Sequence, residues 1–419
     1  MIKKIDNKSN DSITWVYYVI FVIVIFISDD TFNFGTNENL IYFTVKYIVY
    51  FILTLFLLVN SNLRFLTVLT KGSLVFYLLV LSVFVTAFLN FNFSGGYIYQ
   101  IWLFFLGSLI VNFYSEKKFI DVYLKAIYIL STISLVIFFI ATISLSFFEF
   151  FPVQYNSAGA TMYNLGVAIV FADGSYVRNT SIFREPGVFM IYLNIAILFE
   201  LFFKNEINKK YLFVFILAIF TTFSTAAFIA VGTIFIAFLF TKSNNKTSIK
   251  NKGFIVGLLL IAFIIVLSSG ELYNMVFEKV GKDNIGDGSS LARGVSILAN
   301  FNIFLDNFLF GVGIKNYPFL FSRYTLDLVG ISMEVGNNTN TITTILAVYG
   351  ILFGSLFVYM LISFAKKTSQ SFIVRTFILL VLIMLYSNEE LRYSLMSATF
   401  LMWGLKSREK VEKNNNILL

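Results

Sequence analysis

The chain has no cysteine, no histidine and only 3 prolines in 419 residues. Without cysteine there is neither a disulfide framework nor a thiolate nucleophile. Without histidine the commonest proton shuttle is missing, and zinc loses the donors it usually needs. Charge is scarce too: 13% of residues are Asp, Glu, Lys or Arg, where soluble domains carry roughly a quarter. No Asp-x-Asp pair occurs that could hold the metal of a sugar nucleotide, so neither metal nor organic cofactor is expected. What the chain has in excess is apolar: 58% hydrophobic and 19% aromatic residues. These gather into runs of membrane-crossing length rather than amphipathic stripes, which calls for lipid rather than water.

The runs lie at Ile13–Ser28, Leu40–Val59, Ser73–Leu89, Tyr97–Tyr114, Val122–Phe148 and Gly187–Phe203. They continue at Tyr211–Phe240, Gly253–Ser269, Thr339–Ala365, Ser371–Ser387 and Tyr393–Leu405. The first run meets Asp29-Asp30 rather than a small-residue cleavage site, so it reads as an uncleaved span. Basic loops mark the cytoplasmic side of a membrane. Arg64/Lys71, Lys117/Lys118, Lys204/Lys209/Lys210, Lys242–Lys252, Lys366/Lys367 and Lys406–Lys413 all fall on the side of the N-terminus. Tyr211–Phe240 has lysines at both ends and must therefore cross an even number of times. Its small polar centre, Thr221-Thr222-Phe223-Ser224-Thr225, suits a tight turn between two short helices. The expectation is an all-α polytopic integral membrane protein of about twelve transmembrane helices with both termini cytoplasmic. The net charge of +8 is then a topology signal, and no nucleic-acid partner is implied.

Residues 1–419 read as a single polytopic domain with two external loops, 149–186 and 271–338. The second lies between the ninth and tenth spans and is too long for a simple connection. Within it Ser289–Phe304 places Leu291, Val295, Leu298 and Phe301 near helical spacing, a face suited to the membrane surface.

Three polar groups stand out. Arg178-Asn179-Thr180-Ser181-Ile182-Phe183-Arg184-Glu185-Pro186-Gly187 ends a loop where a helix begins, and the exposed amides of such a start favour anions. Arg178 and Arg184 there could grip phosphate through planar forks, with Glu185 as a carboxylate base; the alternative is an interface loop whose arginines meet headgroups. The second group joins Arg293 to Phe310-Gly311-Val312-Gly313, whose glycines permit a sharp turn or close backbone approach. Third comes Asn337-Asn338-Thr339-Asn340 before the tenth span, able to bind sugar hydroxyls or to cap the helix. Gly350 and Gly354 follow as a small-residue packing pair. Glu389, Glu390 and Arg392 either pair with one another or face the site. Lys46 is the deepest intramembrane cation, a position that usually marks function.

In their order along the chain these groups resemble the Wzy-type polysaccharide repeat-unit polymerases and the related O-antigen ligases. Ser181-Ile182-Phe183-Arg184-Glu185-Pro186-Gly187 resembles the family's Ser-x-Phe-x-Glu-Pro segment. Thr222–Ala227 sits where relatives have a Ser-rich turn. Arg293 followed by Asn307-Phe308-Leu309-Phe310-Gly311-Val312-Gly313 resembles an Arg-to-"PLFGVG" stretch, with Phe308 where proline is usual. Ligase-type relatives carry histidine near the place of Thr339, and this chain has none.

The resemblance implies a bacterial inner-membrane glycosyltransferase that polymerises polyprenyl-diphosphate-linked oligosaccharide, the undecaprenyl form above all, into O-antigen or capsular polysaccharide. A chain-length regulator and a flippase would be its partners. It assigns Glu185 as the base, with Glu389 or Glu390 in reserve. Arg178, Arg184, Arg293 and more weakly Arg323 become the diphosphate ligands, and Asn338, Asn340 and Tyr317 the sugar-side residues. Tyr155, Tyr163 and Tyr176 are further candidates for stacking on sugars. A ligase is the nearest alternative. A transporter or flippase would want charges along an intramembrane path and inverted repeats, and a scaffold would not need clustered arginines.

Overall fold

The computed structural model describes residues 7–36, 39–60, 70–155, 160–173, 176–241, 252–253, 256–257 and 288–406. Most of the expected ninth span, and residues 271–287 of the second loop with Lys279 and Lys282, lie outside them. The chain is a mostly helical membrane protein. Five helices are long and apolar enough to cross a bilayer: α3 (Leu40–Asn60), α4 (Lys71–Leu89), α5 (Gly95–Phe113), α6 (Glu116–Ile143) and α12 (Thr341–Thr368). The other apolar helices are α1 (Asn7–Phe26), whose apolar part is Trp15–Phe26, and the shorter α7 (Pro186–Phe202), α8 (Lys209–Thr222), α9 (Thr225–Leu239), α13 (Phe372–Asn388) and α14 (Leu395–Leu405). A one-turn helix α2 (Phe32–Gly35) follows α1, and α10 (Gly288–Asp306) and α11 (Gly313–Val329) precede α12.

Local chemistry sets the helix starts. Thr70 and Ser73 form a reciprocal capping box on α4, and Ser115 accepts from the Lys118 amide at the head of α6. Each hydroxyl satisfies an amide that has no partner within its helix. The expected break in Tyr211–Phe240 is present. α8 ends at Phe223, whose φ of 48° is left-handed, and α9 begins at Thr225.

α7 is the centre of the bundle. Every residue from Pro186 to Leu201 is buried, as expected of a helix apolar all round. It packs against α6, α8 and α9, while α14 packs on α5 and α12. The expected tenth span is broken: Gly350 in α12 has φ 73° and ψ −169°. Into that break fits Phe310-Gly311-Val312-Gly313. The Val312 amide donates to Ala347 O at 3.0 Å and the Ile351 amide to Phe308 O at 2.9 Å. A Cβ on Gly311 would lie 2.4 Å from the Val348 carbonyl, and one on Gly350 2.4 Å from the Leu309 carbonyl oxygen. Backbone docks on backbone here, so both positions require glycine. The motif is a joint that fixes α10 and α11 against α12.

One part of the expected architecture is corrected. Residues 153–179 are not simple loop but a four-stranded antiparallel meander, β1 (Val153–Tyr155), β2 (Thr161–Asn164), β3 (Ile169–Asp173) and β4 (Tyr176–Asn179), in that spatial order. Met162, Ile169 and Phe171 bury one side with Phe32, while Val170 packs with Ala141 and Phe148 on the other. Strands of three to five residues carry almost no periodic signal, and pairing and docking stabilise what each segment alone does not. α10 forms where the amphipathic helix was expected, with Val295, Ala299 and Ile303 buried and Leu298, Phe301 and Leu305 exposed.

Candidate active site

The helix starts of α7, α12 and α14 meet at one end of the bundle, and the loop after α1 stitches them together. Asp30 is buried there. Its Oδ2 accepts from Tyr192 Oη of α7 at 2.5 Å and from Ser394 Oγ, the residue capping α14. Its carbonyl takes the Arg184 amide at 3.0 Å, and the Phe32 amide donates to Ile182 O at 3.0 Å. Thr31 also bridges Phe183. The segment carrying Arg184 is thus held as an added strand. Burial raises the Asp30 pKa, opposed by the hydrogen bonds from Ser394 and Tyr192 and by the charge of Arg184. Neighbouring Asp29 pairs with buried Lys46 at 2.5 Å and accepts from Tyr99 Oη. Lys46 therefore has a fixed structural counter-ion.

Glu389, at the C-terminus of α13, is the hub of the site. It is 3% exposed, and its carboxyl lies in the field of Arg184, Arg293 and Arg178, opposed by Glu185. Burial first, then the Glu185 charge, push its pKa up to about 8, with the three arginines pulling the other way. Four chain segments deliver these groups. Arg178 stands on β4 and donates from Nε to Thr222 O at 3.1 Å. That carbonyl is one of the unpaired acceptors ending α8, where a cation is favoured. The Thr-rich turn between α8 and α9 thereby fixes an arginine; Asn179 Nδ2, donating to Thr221 Oγ1 at 2.9 Å, reinforces it. Arg184 donates from Nη2 to Glu390 O at 2.6 Å. Burial lowers its pKa, yet Glu185, Glu389, Asp30 and Glu390 together raise it. Arg293 reaches in from α10. The Nε atoms of Arg184 and Arg293 are buried without a hydrogen-bond partner. Glu185, the residue before α7, is exposed and makes no cap with its own side chain.

Glu390 points into a second network. Its Oε2 accepts from Asn338 Nδ2 at 2.9 Å, and its Oε1 from the Arg392 amide at 2.9 Å. Asn338 also donates to Tyr317 Oη at 3.0 Å, and Tyr317 donates to Asn300 Oδ1 at 2.7 Å. Asn300 in turn donates to Asn338 Oδ1 at 3.2 Å. The Arg392 guanidinium lies 4.6 Å from the Tyr393 ring and 5.7 Å from that of Tyr317. This network ties α10, α11 and α12 to the 389–392 turn.

Of the residues singled out in the sequence, Arg178, Arg184, Arg293 and Glu185 come together around Glu389. Arg323 does not: it is exposed on α11, 4.0 Å from Asp327 one turn on. Asn338, Asn340 and Tyr317 are buried in the wall of the site, their polar atoms bonded to the protein. The cap of α12 is Asn340, which accepts from the Thr343 amide at 2.9 Å, and not Asn338. Tyr317 is 1% exposed and has no ring face open for stacking, whereas Tyr155 and Tyr176 are exposed on the outer strands. Asp30, Asn300 and Asn388 carry no sequence signal of their own; each acts across more than thirty residues of sequence or at a helix terminus. A buried acid directly after an apolar span was the one available hint for Asp30.

Residues 211–358 match the Wzy_C family model, described as O-Antigen ligase, which bears out the resemblance read from the motifs. The match spans α8 to the first part of α12 and takes in Arg293 and Asn338; the segments bearing Arg178, Arg184 and Glu389 lie outside it. No curated protein and no solved structure matches the chain.

Proposed function

We propose, from the premise that residues 211–358 carry this domain, that the chain polymerises polyprenyl-diphosphate-linked oligosaccharide repeat units on the external face of the bacterial inner membrane. The observation that carries the proposal is the convergence of Arg178, Arg184 and Arg293 on one buried carboxyl, with unpartnered guanidinium nitrogens left over. Three guanidiniums face a carboxyl that burial and Glu185 push toward its neutral form, and positive charge with donors to spare is what a departing diphosphate demands. In the reaction an acceptor sugar hydroxyl attacks the anomeric carbon of the donor glycan. Its proton passes to Glu185, the carboxylate open to a substrate. The bond from the anomeric carbon to the phosphate oxygen breaks, and the electron pair leaves with the polyprenyl diphosphate. The arginines stabilise that charge as it develops, an effect worth roughly a hundredfold or more per donor in comparable sites.

Polymerase is preferred to ligase because the chain has no histidine and the available proton acceptors are carboxylates. Deleting the gene and running surface polysaccharide on a gel separates the two. Loss of the long-chain ladder with a single repeat unit retained supports the polymerase. Loss of all repeat units from the surface glycolipid points to a ligase or a flippase instead.

A further inference from the structure

The start of α7 is covered closely by the turn that follows α13. A Cβ on Gly187 would come 1.8 Å from Glu389 Oε1 and 3.4 Å from Asn388 Nδ2. Both side chains therefore lean over the first turn in space that only glycine leaves. α7 is 17 residues long, Pro186 brings no N–H, and the first amides of a helix have no partner within it. Such a terminus attracts anions, and a second observation here points to a ligand. Asn388 is 6% exposed, yet its Nδ2 donates to nothing. The side chain is buried and aimed at the helix start, and its neighbour Glu389 lies in the field of Arg184 and Arg293, whose Nε atoms are also unmet.

We infer that Asn388 Nδ2 is a direct ligand of the lipid-linked diphosphate, one phosphate of which seats over Gly187, and that Glu389 faces the same phosphate as a hydrogen-bond donor. The inference rests on the diphosphate reading above. Glu389 faces Glu185 and Arg184 from the segment before α7, Arg178 from β4 and Arg293 from α10. Burial and Glu185 bring its pKa to about 8, so at neutral pH the acid form predominates and offers a hydrogen to a phosphate oxygen. Above that value it ionises and repels the anion. Glu389 thus keeps the seat compatible with an empty and a filled state.

Inorganic pyrophosphate is the probe, titrated calorimetrically into the full chain in nanodiscs. Asn388→Asp should weaken binding at least about tenfold, and Asn388→Ala by several-fold, since each removes a hydrogen bond to a charged group. Between about pH 6.5 and pH 9 the wild type should lose affinity relative to Glu389→Gln, which cannot ionise. Comparing the two proteins at each pH cancels the titration of the probe itself. Wild-type affinity in both Asn388 variants, with Arg184→Ala weakened, overturns the inference and leaves the diphosphate reading standing. Unchanged binding in Arg184→Ala and Arg293→Ala overturns both. Should Asn388→Asp not be recovered monodisperse, Asn388→Ala and the Glu389→Gln comparison decide. A ratio independent of pH overturns the Glu389 part.

Discussion

Where α6 begins and α7, α12 and α14 finish, the cations are met. Lys204 pairs with Asp121 at 2.6 Å. Lys367 lies 3.8 Å from Glu116, donates to Trp403 O and sits over the Trp403 ring. Lys406 donates to the carbonyls of Val111 and Tyr114. At the opposite end Arg184 and Arg293 keep buried nitrogens without partners around one carboxyl that is itself pushed toward neutrality. The contrast separates two uses of positive charge. Lysines closing helix ends and touching carbonyls lower the energy of the fold. Guanidiniums gathered around one carboxyl with donors unmet are the arrangement on which the proposed diphosphate reading rests.

Four measurements can break or sharpen that contrast, beginning with an all-or-none one. The chain has no cysteine, so single cysteines report cleanly. Cysteine at Asn316, exposed on α11, should label from outside intact spheroplasts, and cysteine at Asn205, exposed beside Lys204, only after permeabilisation. The reverse pattern would put the arginine end in the cytoplasm and remove the reading of an external reaction.

Next in size are the guanidiniums. Arg184→Ala and Arg293→Ala should each lower turnover of purified lipid-linked repeat unit by about a hundredfold or more. Lysine should restore little, because it keeps charge and loses the fork. Full activity in both Arg→Lys variants would make these side chains loop anchors of the kind found at the lysine end. Glu185→Gln should preserve substrate binding and cost roughly a hundredfold in turnover, the usual worth of a general base. Near-normal turnover would move the base to Glu389 or Glu390. The smallest effect belongs to the lysine end. Asp121→Asn breaks a pair about a third exposed, worth under about 1 kcal/mol, and turnover should stay within about twofold of wild type. A large loss there would mean that the two ends are coupled through α6 and α7.

The pKa of Glu389 adds a stability test of the same contrast. Its folded value, about 8, lies above the ordinary 4.5. Between those values the folded state holds a proton that the unfolded state has released, so stability falls as pH rises through that window and levels off above it.

Much of the plan was legible in residue order. Apolar runs announced helices for lipid. The Thr221–Thr225 cluster announced the break between α8 and α9, because small polar side chains compete locally with the helix backbone. Arg178, Arg184, Arg293 and Glu185 were legible as chemistry, since charge is so rare here that each clustered arginine needs a reason. Less could be read where the reason lies across space. Phe310-Gly311-Val312-Gly313 promised a sharp turn or a close backbone approach, but that the approaching backbone is the break at Gly350 is decided only in three dimensions. Asn338 and Tyr317 looked like sugar contacts and bond to each other, since nothing in a polar side chain's name says which partner will reach it first.

The amino-acid order alone determined that the chain enters a membrane, where its basic loops lie and which arginines are too costly to be idle. These follow from the price of placing charge in hydrocarbon, which depends on composition and spacing. Only the tertiary structure decided that Glu389 stands over Gly187, that Asp30 holds Arg184 in place, and that Arg323 stays outside. Those outcomes depend on burial and on fields between residues up to about two hundred positions apart, as with Arg184 and Glu390, and such fields exist only once the helix starts have been brought to one end of the bundle.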